Sequence, residues 1–160
     1  MSLTIKDRIK YSLYLWYFGL AKVRLINFCR PQIVDVNKKE VILSISLNRR
    51  TKNHVGSMYI GVMTVGVDLV AGLTAMLKIR DSKKNVILIF KDMTSNFLKR
   101  AEGDVHFICK IREKIDKAVE EAIASGERVN LLVPVIATVP DKFGDEPVAE
   151  FTITLSLKEK

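Results

Sequence analysis

Between His54 and Lys78 the chain reads VGSMYIGVMTVGVDLVAGLTAML, a helix-length run that is apolar on every side and carries one charge, Asp68. A helix of that kind has to be enclosed, by the rest of its own fold or by lipid. The length suits a single membrane span. Against a span stand Asp68 in mid-run, four glycines, and at least five amphipathic strand patterns elsewhere that need something to pack on. The expectation is therefore a long core helix wrapped by a sheet. An ionised carboxylate taken out of water without partners is costly, so such a group is neutralised, paired or put to use. Asp68 is the residue to explain.

The flanking sequence alternates with the period of half-buried strands. Val41, Leu43, Ile45 and Leu47 alternate with Ile42, Ser44, Ser46 and Asn48, and Ala149, Phe151, Ile153, Leu155 and Leu157 alternate with Glu150, Thr152, Thr154 and Ser156. Strands are expected at 32–36, 41–47, 86–98, 105–111, about 128–139 and 147–157. Helices are expected at 3–22 and at 112–125, the second on an Ile115, Val119, Ala122, Ile123 stripe with Gly126 placed to end it. Hairpin-length links favour antiparallel pairing. The 160 residues read as one domain. Residues 1–25 form a helical extension, and 26–160 form an α+β core whose central helix covers about 57–77.

Lys plus Arg number 26 against 18 Asp plus Glu, a net charge of +8. That balance favours anionic partners: nucleic acid, acidic lipid or a phosphate-bearing ligand such as coenzyme A. The charge is spread along the chain, and no zinc-ligand spacing, RNA-binding aromatic signature or helix-turn-helix pattern occurs, so neither nucleic acid nor a metal is expected. Two cysteines, Cys29 and Cys109, are too few for a disulfide scaffold and suit a reducing, cytoplasmic setting. The first helix places Leu13, Trp16, Tyr17 and Leu20 at helical spacing after Lys6, Arg8 and Lys10. Its apolar centre, 11–21, is too short to span a bilayer. It is expected to pack on the domain as a lid, with peripheral membrane contact as the rival role.

Helical spacing puts Gly61, Thr64 and Gly72 on the face of Asp68, with Ala71 and Ala75 close by. Glycine inside a helix costs about 1 kcal/mol relative to alanine, a cost tolerated where a ligand or another backbone comes close. One reading is a helix–helix contact with Asp68 hydrogen-bonded to a strand residue. The other is a cleft with Asp68 as its working group, and the two are compatible at a dimer interface. At the helix start, Asn53, Gly56 and Ser57 offer capping and turn chemistry. The backbone N–H groups near Met58 to Gly61 lack intrahelical partners and carry the positive end of the helix dipole. Aimed at a carbonyl oxygen, they would form an oxyanion hole. Asp68 lies two turns further on, about 10 Å by helix rise. Asn53 could orient water or a carbonyl. His54 is expected to be structural and His106 to sit on a surface.

The segment Asn53-His54-Val55-Gly56-Ser57-Met58-Tyr59-Ile60-Gly61, followed seven residues on by Asp68, resembles the signature of hotdog-fold acyl-CoA thioesterases of the phenylacetate-pathway type. That signature reads Asn-x-x-Gly-x-x-His-Gly-Gly, then an Asp on the central helix. Asn53, Gly56, Gly61 and Asp68 fit it, Tyr59 stands in place of the His, and Ile60 replaces the first Gly of the pair. The chain is also similar, over nearly its full length, to a branch of the superfamily catalogued as a domain of unknown function. The N-terminal aromatic helix, RPQIVDV, NHVGSMYIG, FKDMTSNFLKRAEGDVHF and PVAEFTITLSLK carry that similarity.

The resemblance implies a hotdog fold, a curved antiparallel sheet around the central helix, assembled as a homodimer or homotetramer with sheets joined edge to edge. It implies hydrolysis of an acyl-CoA-type thioester with no cofactor beyond the coenzyme A of the substrate. Asp68 would be nucleophile or base, and the N–H of Ile60 or Gly61 would polarise the carbonyl. Asn53 would assist, while Tyr59, Thr64 and Gly56 would line the substrate site. Lys99 and Arg100, at the end of a long strand, are expected to meet coenzyme A phosphates, with Arg49, Arg50 and Lys52 near the site. The departures at Tyr59 and Ile60 leave a non-catalytic protein that binds acyl-CoA or a fatty-acyl group as the alternative.

Overall fold

The computed structural model describes residues 5–160, with side chains from residue 9 onward. Residues 3 and 4 of the expected first helix, and the side chains of Lys6 and Arg8, lie outside what is described. Among the described residues, five helices, α1 (Ile5–Ala21), α2 (Arg24–Cys29), α3 (Ile60–Ser82), α4 (Arg112–Ser125) and α5 (Pro140–Phe143), accompany six strands. These are β1 (Gln32–Val36), β2 (Val41–Ile45), β3 (Val86–Phe97), β4 (Val105–Cys109), β5 (Val129–Thr138) and β6 (Pro147–Glu159). They make one antiparallel sheet in the order β1-β2-β4-β5-β6-β3.

The sheet curls around α3, which packs on β2, β4, β5 and β6 and on the inserted α4. The helix is long and apolar enough to cross a bilayer, yet most of it is buried within its own fold. Val41, Leu43 and Ile45 of β2 and Leu155 and Leu157 of β6 are fully buried, as the period-2 alternation requires. Gly66 of the helix faces the sheet closely. A Cβ there would fall 2.3 Å from the ring of Phe107 on β4, which is itself fully buried.

The central helix differs from the expected 57–77 at both ends. Met58 and Tyr59 are pinned outside the helix: the Met58 N–H donates to the Ala101 carbonyl (2.9 Å) and the Tyr59 N–H to the Thr51 carbonyl (2.8 Å). Helix therefore begins at Ile60. It runs on to Ser82 because its last turns find partners: Lys78 pairs with Glu120, and the Arg80 guanidinium lies over the rings of Tyr11 and Tyr14. Lys83, left-handed at φ 57°, ends it.

Two short helices, α2 and α5, escape periodicity because six and four residues are too few to show it. Helix α1 packs its Leu15 into the core, with Tyr14 and Phe18 against it. Strand β3 sits at one edge of the sheet, and its residues 91–97 are exposed on both faces.

Candidate active site

Asp68 projects from α3 away from the sheet-facing Gly66. It makes no hydrogen bond or ion pair with any described residue, so the expected alternative of a structural bond to a strand is not realised. Burial alone raises its carboxyl to about 6. The carboxylate stands where two cavities meet. An open cleft of about 530 Å³ runs between α3 and the β3–β6 edge, and Gly61, Thr64, Asp68, Phe90 and Met93 line it. An inner cavity of about 200 Å³ lies beneath α1 and α2, walled by Asp68, Gly72 and apolar side chains. Of the small residues expected on one helix face, Gly61 and Thr64 lie on the open side of Asp68 and Gly72 on the inner side. Thr64 bonds its hydroxyl back to the Ile60 carbonyl at 3.0 Å.

The start of α3 forms a separate place. Its N-cap, Tyr59, offers no side-chain cap. The N–H groups of Ile60 and Gly61 have no partner among the described residues, while those of Val62 and Met63 both reach the Tyr59 carbonyl (2.9 and 3.0 Å). Two donors are therefore free at the positive end of a long helix, a ready site for developing negative charge. Tyr59 folds back across Gly61: a Cβ there would sit 2.6 Å from its ring, so Gly61 is what leaves room for the tyrosine.

Asn53 does not reach toward either cavity with a free amide. Its Oδ1 accepts from the N–H groups of Val55 (3.0 Å) and Ser57 (3.1 Å), and its Nδ2 donates to Ser57 Oγ at 3.2 Å. It shapes the loop that delivers the helix start. Gly56, at φ 81°, is the left-handed residue that loop requires. Arg100 holds the same loop through a 2.7 Å hydrogen bond to the Val55 carbonyl and pairs with Glu102. Lys99 pairs with Glu146 and lies over the Phe143 ring.

Asn53, His54, Tyr59, Ile60, Lys99 and Arg100 all border a third cleft, of about 380 Å³, that Asp68 does not reach. Within one chain the expected residues therefore fall into two groups. His54 is exposed in this cleft, while His106, expected on a surface, is half-buried on β4. Arg50 lines a further cleft with Arg24 and Arg30, none of the three in an ion pair with a described residue.

Sequence reasoning passed over Lys91 and Asp92. A bulge between Phe90 and Met93 sets them out of register, and both border the open cleft with Asp68. Asp92 accepts a hydrogen bond from Thr154 at 2.6 Å. Two consecutive polar residues inside an apolar strand pattern were the available signal. Among the described residues, no group of three or more His, Cys, Asp or Glu side chains is placed to share a metal ion.

This architecture, a curved antiparallel sheet around one long apolar helix, is the hotdog fold, and solved structures carry it. A protein of unknown function from Chlorobaculum tepidum superposes with a TM-score of 0.81 at 12% identity, covering 96% of this chain and 97% of that one. A protein of unknown function from Pseudomonas aeruginosa, titled a probable thioesterase, gives 0.73 at 22% identity, covering 93% and 96%. A thioesterase from Haemophilus influenzae gives 0.66 at 13% identity, covering 88% and 87%. At such identities the likeness establishes the fold. The chain belongs to the family described as domain of unknown function DUF4442, which matches residues 21–157. No curated protein matches it.

Proposed function

We propose that the chain is a thioesterase hydrolysing an acyl thioester of the acyl-CoA type, with Asp68 as base or nucleophile. The observation that carries this reading is an unpaired carboxylate, raised to about 6, at the junction of an open cleft and an apolar cavity. The fold is one that named thioesterases share. A carboxyl with that affinity is ionised at neutral pH and still basic enough to take a proton from water. The hydroxide so formed adds to the thioester carbonyl, the oxyanion is held by backbone N–H groups, and the thiol leaves with the proton.

The free donors of Ile60 and Gly61 lie about 10 Å along the helix from Asp68, too far to serve one carbonyl within one chain. Pairing of two protomers would bring one helix start to the other's carboxylate. The exposed edge of β3, with Met93, Phe97 and Leu98 uncovered, supports such a pairing. A homodimer, or a tetramer built from it, is therefore part of the proposal.

The test is a panel of acyl-CoAs with a free-thiol readout on wild type and Asp68→Asn, with the mass of each measured in solution. The substitution is expected to lower kcat/KM by about 10²–10⁴-fold without changing assembly. Intact turnover would remove Asp68 from the mechanism. The tyrosine folded over Gly61 favours a second reading, a binding protein without catalysis. Heat stabilisation by acyl-CoA with no thiol release would support that one.

The outer face of α1 adds a partner. Ile9, Leu13, Trp16 and Tyr17 are each more than half exposed, and Leu20 and the Phe28 of α2 extend the patch. Exposed Lys10, Lys22, Arg24 and Arg30 surround it, and no acid occurs between residues 9 and 31. That combination of apolar stripe and basic rim suits an anionic lipid surface. Trp16 is the sole tryptophan. Its emission is expected to shift to the blue with phosphatidylglycerol vesicles and to revert in high salt. An unchanged spectrum would discard the membrane contact.

A further inference from the structure

The inner cavity has a shape and a chemistry of its own. Its walls are Tyr14, Leu15 and Phe18 from α1, Leu69, Leu73 and Met76 from α3, and Leu88 and Phe90 from β3, with Val23 and Ile26 completing the lining. Asp68 is the only acid on that wall, and it stands at one end. Met76 lies two helical turns beyond it, about 12 Å along the axis. An apolar space of this kind does not hold water well and takes apolar guests.

Asp68 and Phe90 line both the inner cavity and the open cleft, so they form the throat between them. Gly72 faces that throat. A Cβ there would lie 3.4 Å from Phe90 and 3.9 Å from the Asp68 carboxylate, so any larger side chain would grow into the space. Glycine in mid-helix is unfavourable by about 1 kcal/mol against alanine, and here its cost leaves the cavity open.

The roof is well held. Tyr14 and Phe18 stack at 6.5 Å, Leu15 is 3% exposed, and Arg80 near the end of α3 lies 5.6 Å from the Tyr14 ring.

We infer that the cavity beneath α1 and α2 holds the tail of a medium-length acyl group, whose carbonyl then rests at Asp68 while the thiol half lies in the open cleft. This rests on the acyl-thioester reading above and names its substrate class. A volume of about 200 Å³ takes on the order of seven methylenes if each needs roughly the 30 Å³ of a water molecule. Longer chains outrun Met76 at the far end of the lining.

The experiment measures both binding and turnover across chain length. Binding uses S-alkyl coenzyme A thioethers from two to fourteen carbons, and turnover uses the matching acyl-CoAs. Affinity is expected to rise roughly fourfold per added methylene up to about eight carbons and then to level or fall. Gly72→Leu is expected to move the optimum to shorter chains and to cut the eight-to-four-carbon ratio by at least about 30-fold. Met76→Ala, which enlarges the far end, is expected to move the optimum two or three carbons longer. The second variant keeps the test sharp if the first does not fold. Affinity and turnover that ignore chain length between two and ten carbons would overturn the inference. Length-dependent binding with no thiol release would support it while removing the hydrolytic reading, and thiol release with no length dependence would do the reverse.

Discussion

The two regions of α3 that carry the proposed chemistry are built on opposite principles. At the helix start, Asn53 makes hydrogen bonds to Val55 and Ser57, Tyr59 is tied to Thr51, and Arg100 clamps the loop at the Val55 carbonyl. Two turns further on, Asp68 has no partner among the described residues. Position is what matters at the first place, since backbone donors act only where they point. At the second place the proton affinity matters, and a salt bridge would have lowered what burial has raised. Rigidity comes from hydrogen bonds, and reactivity from withholding them.

The largest effect expected from that contrast is on stability against pH. The Asp68 carboxyl takes up its proton near 6 in the folded chain against an ordinary 3.8. Between those values the native state keeps a proton that the unfolded chain has released. Folding stability therefore falls as pH rises from about 4 to 6, by about 3 kcal/mol. Asp68→Asn escapes that loss, so it should match wild type near pH 4 and exceed it above pH 6. Denaturant unfolding across pH checks this, and a gap that does not open with pH would mean that Asp68 has a partner after all. A smaller effect is expected at the mouth of the site. Asn53→Ala removes three side-chain hydrogen bonds and should lower stability by about 1–2 kcal/mol. It should also lower kcat, through a loosened helix start. Unchanged stability would show that the loop is held by Arg100 and the backbone alone.

Much of this was legible in the sequence because it is local or periodic. The enclosed helix followed from an apolar run with no polar stripe. The Gly61, Thr64, Asp68, Gly72 lane followed from spacing alone. What was not legible depends on chain brought from elsewhere. The start of α3 is set by Ala101 and Thr51, which no local rule connects to Ser57. The commitment of Lys99 to Glu146 needs the β5–β6 turn beside it. The β3 bulge that presents Lys91 and Asp92 arises from register with β6. The inner cavity needs α1 folded over α3, and nothing in either segment alone announces it.

A helix that is oily around its whole circumference has no stripe to tell it which way to turn. Rotation about its own axis would cost such a cylinder little burial, yet it would swing the Asp68 carboxylate away from the two cavities it borders. The Phe107 ring seated against Gly66 removes that freedom, because only the notch at this glycine admits it. Asp68 is two residues on, about 200° around the helix. One aromatic ring on the sheet side thus sets the azimuth of the acid on the far side, and the indexing holds with no polar contact to the acid itself.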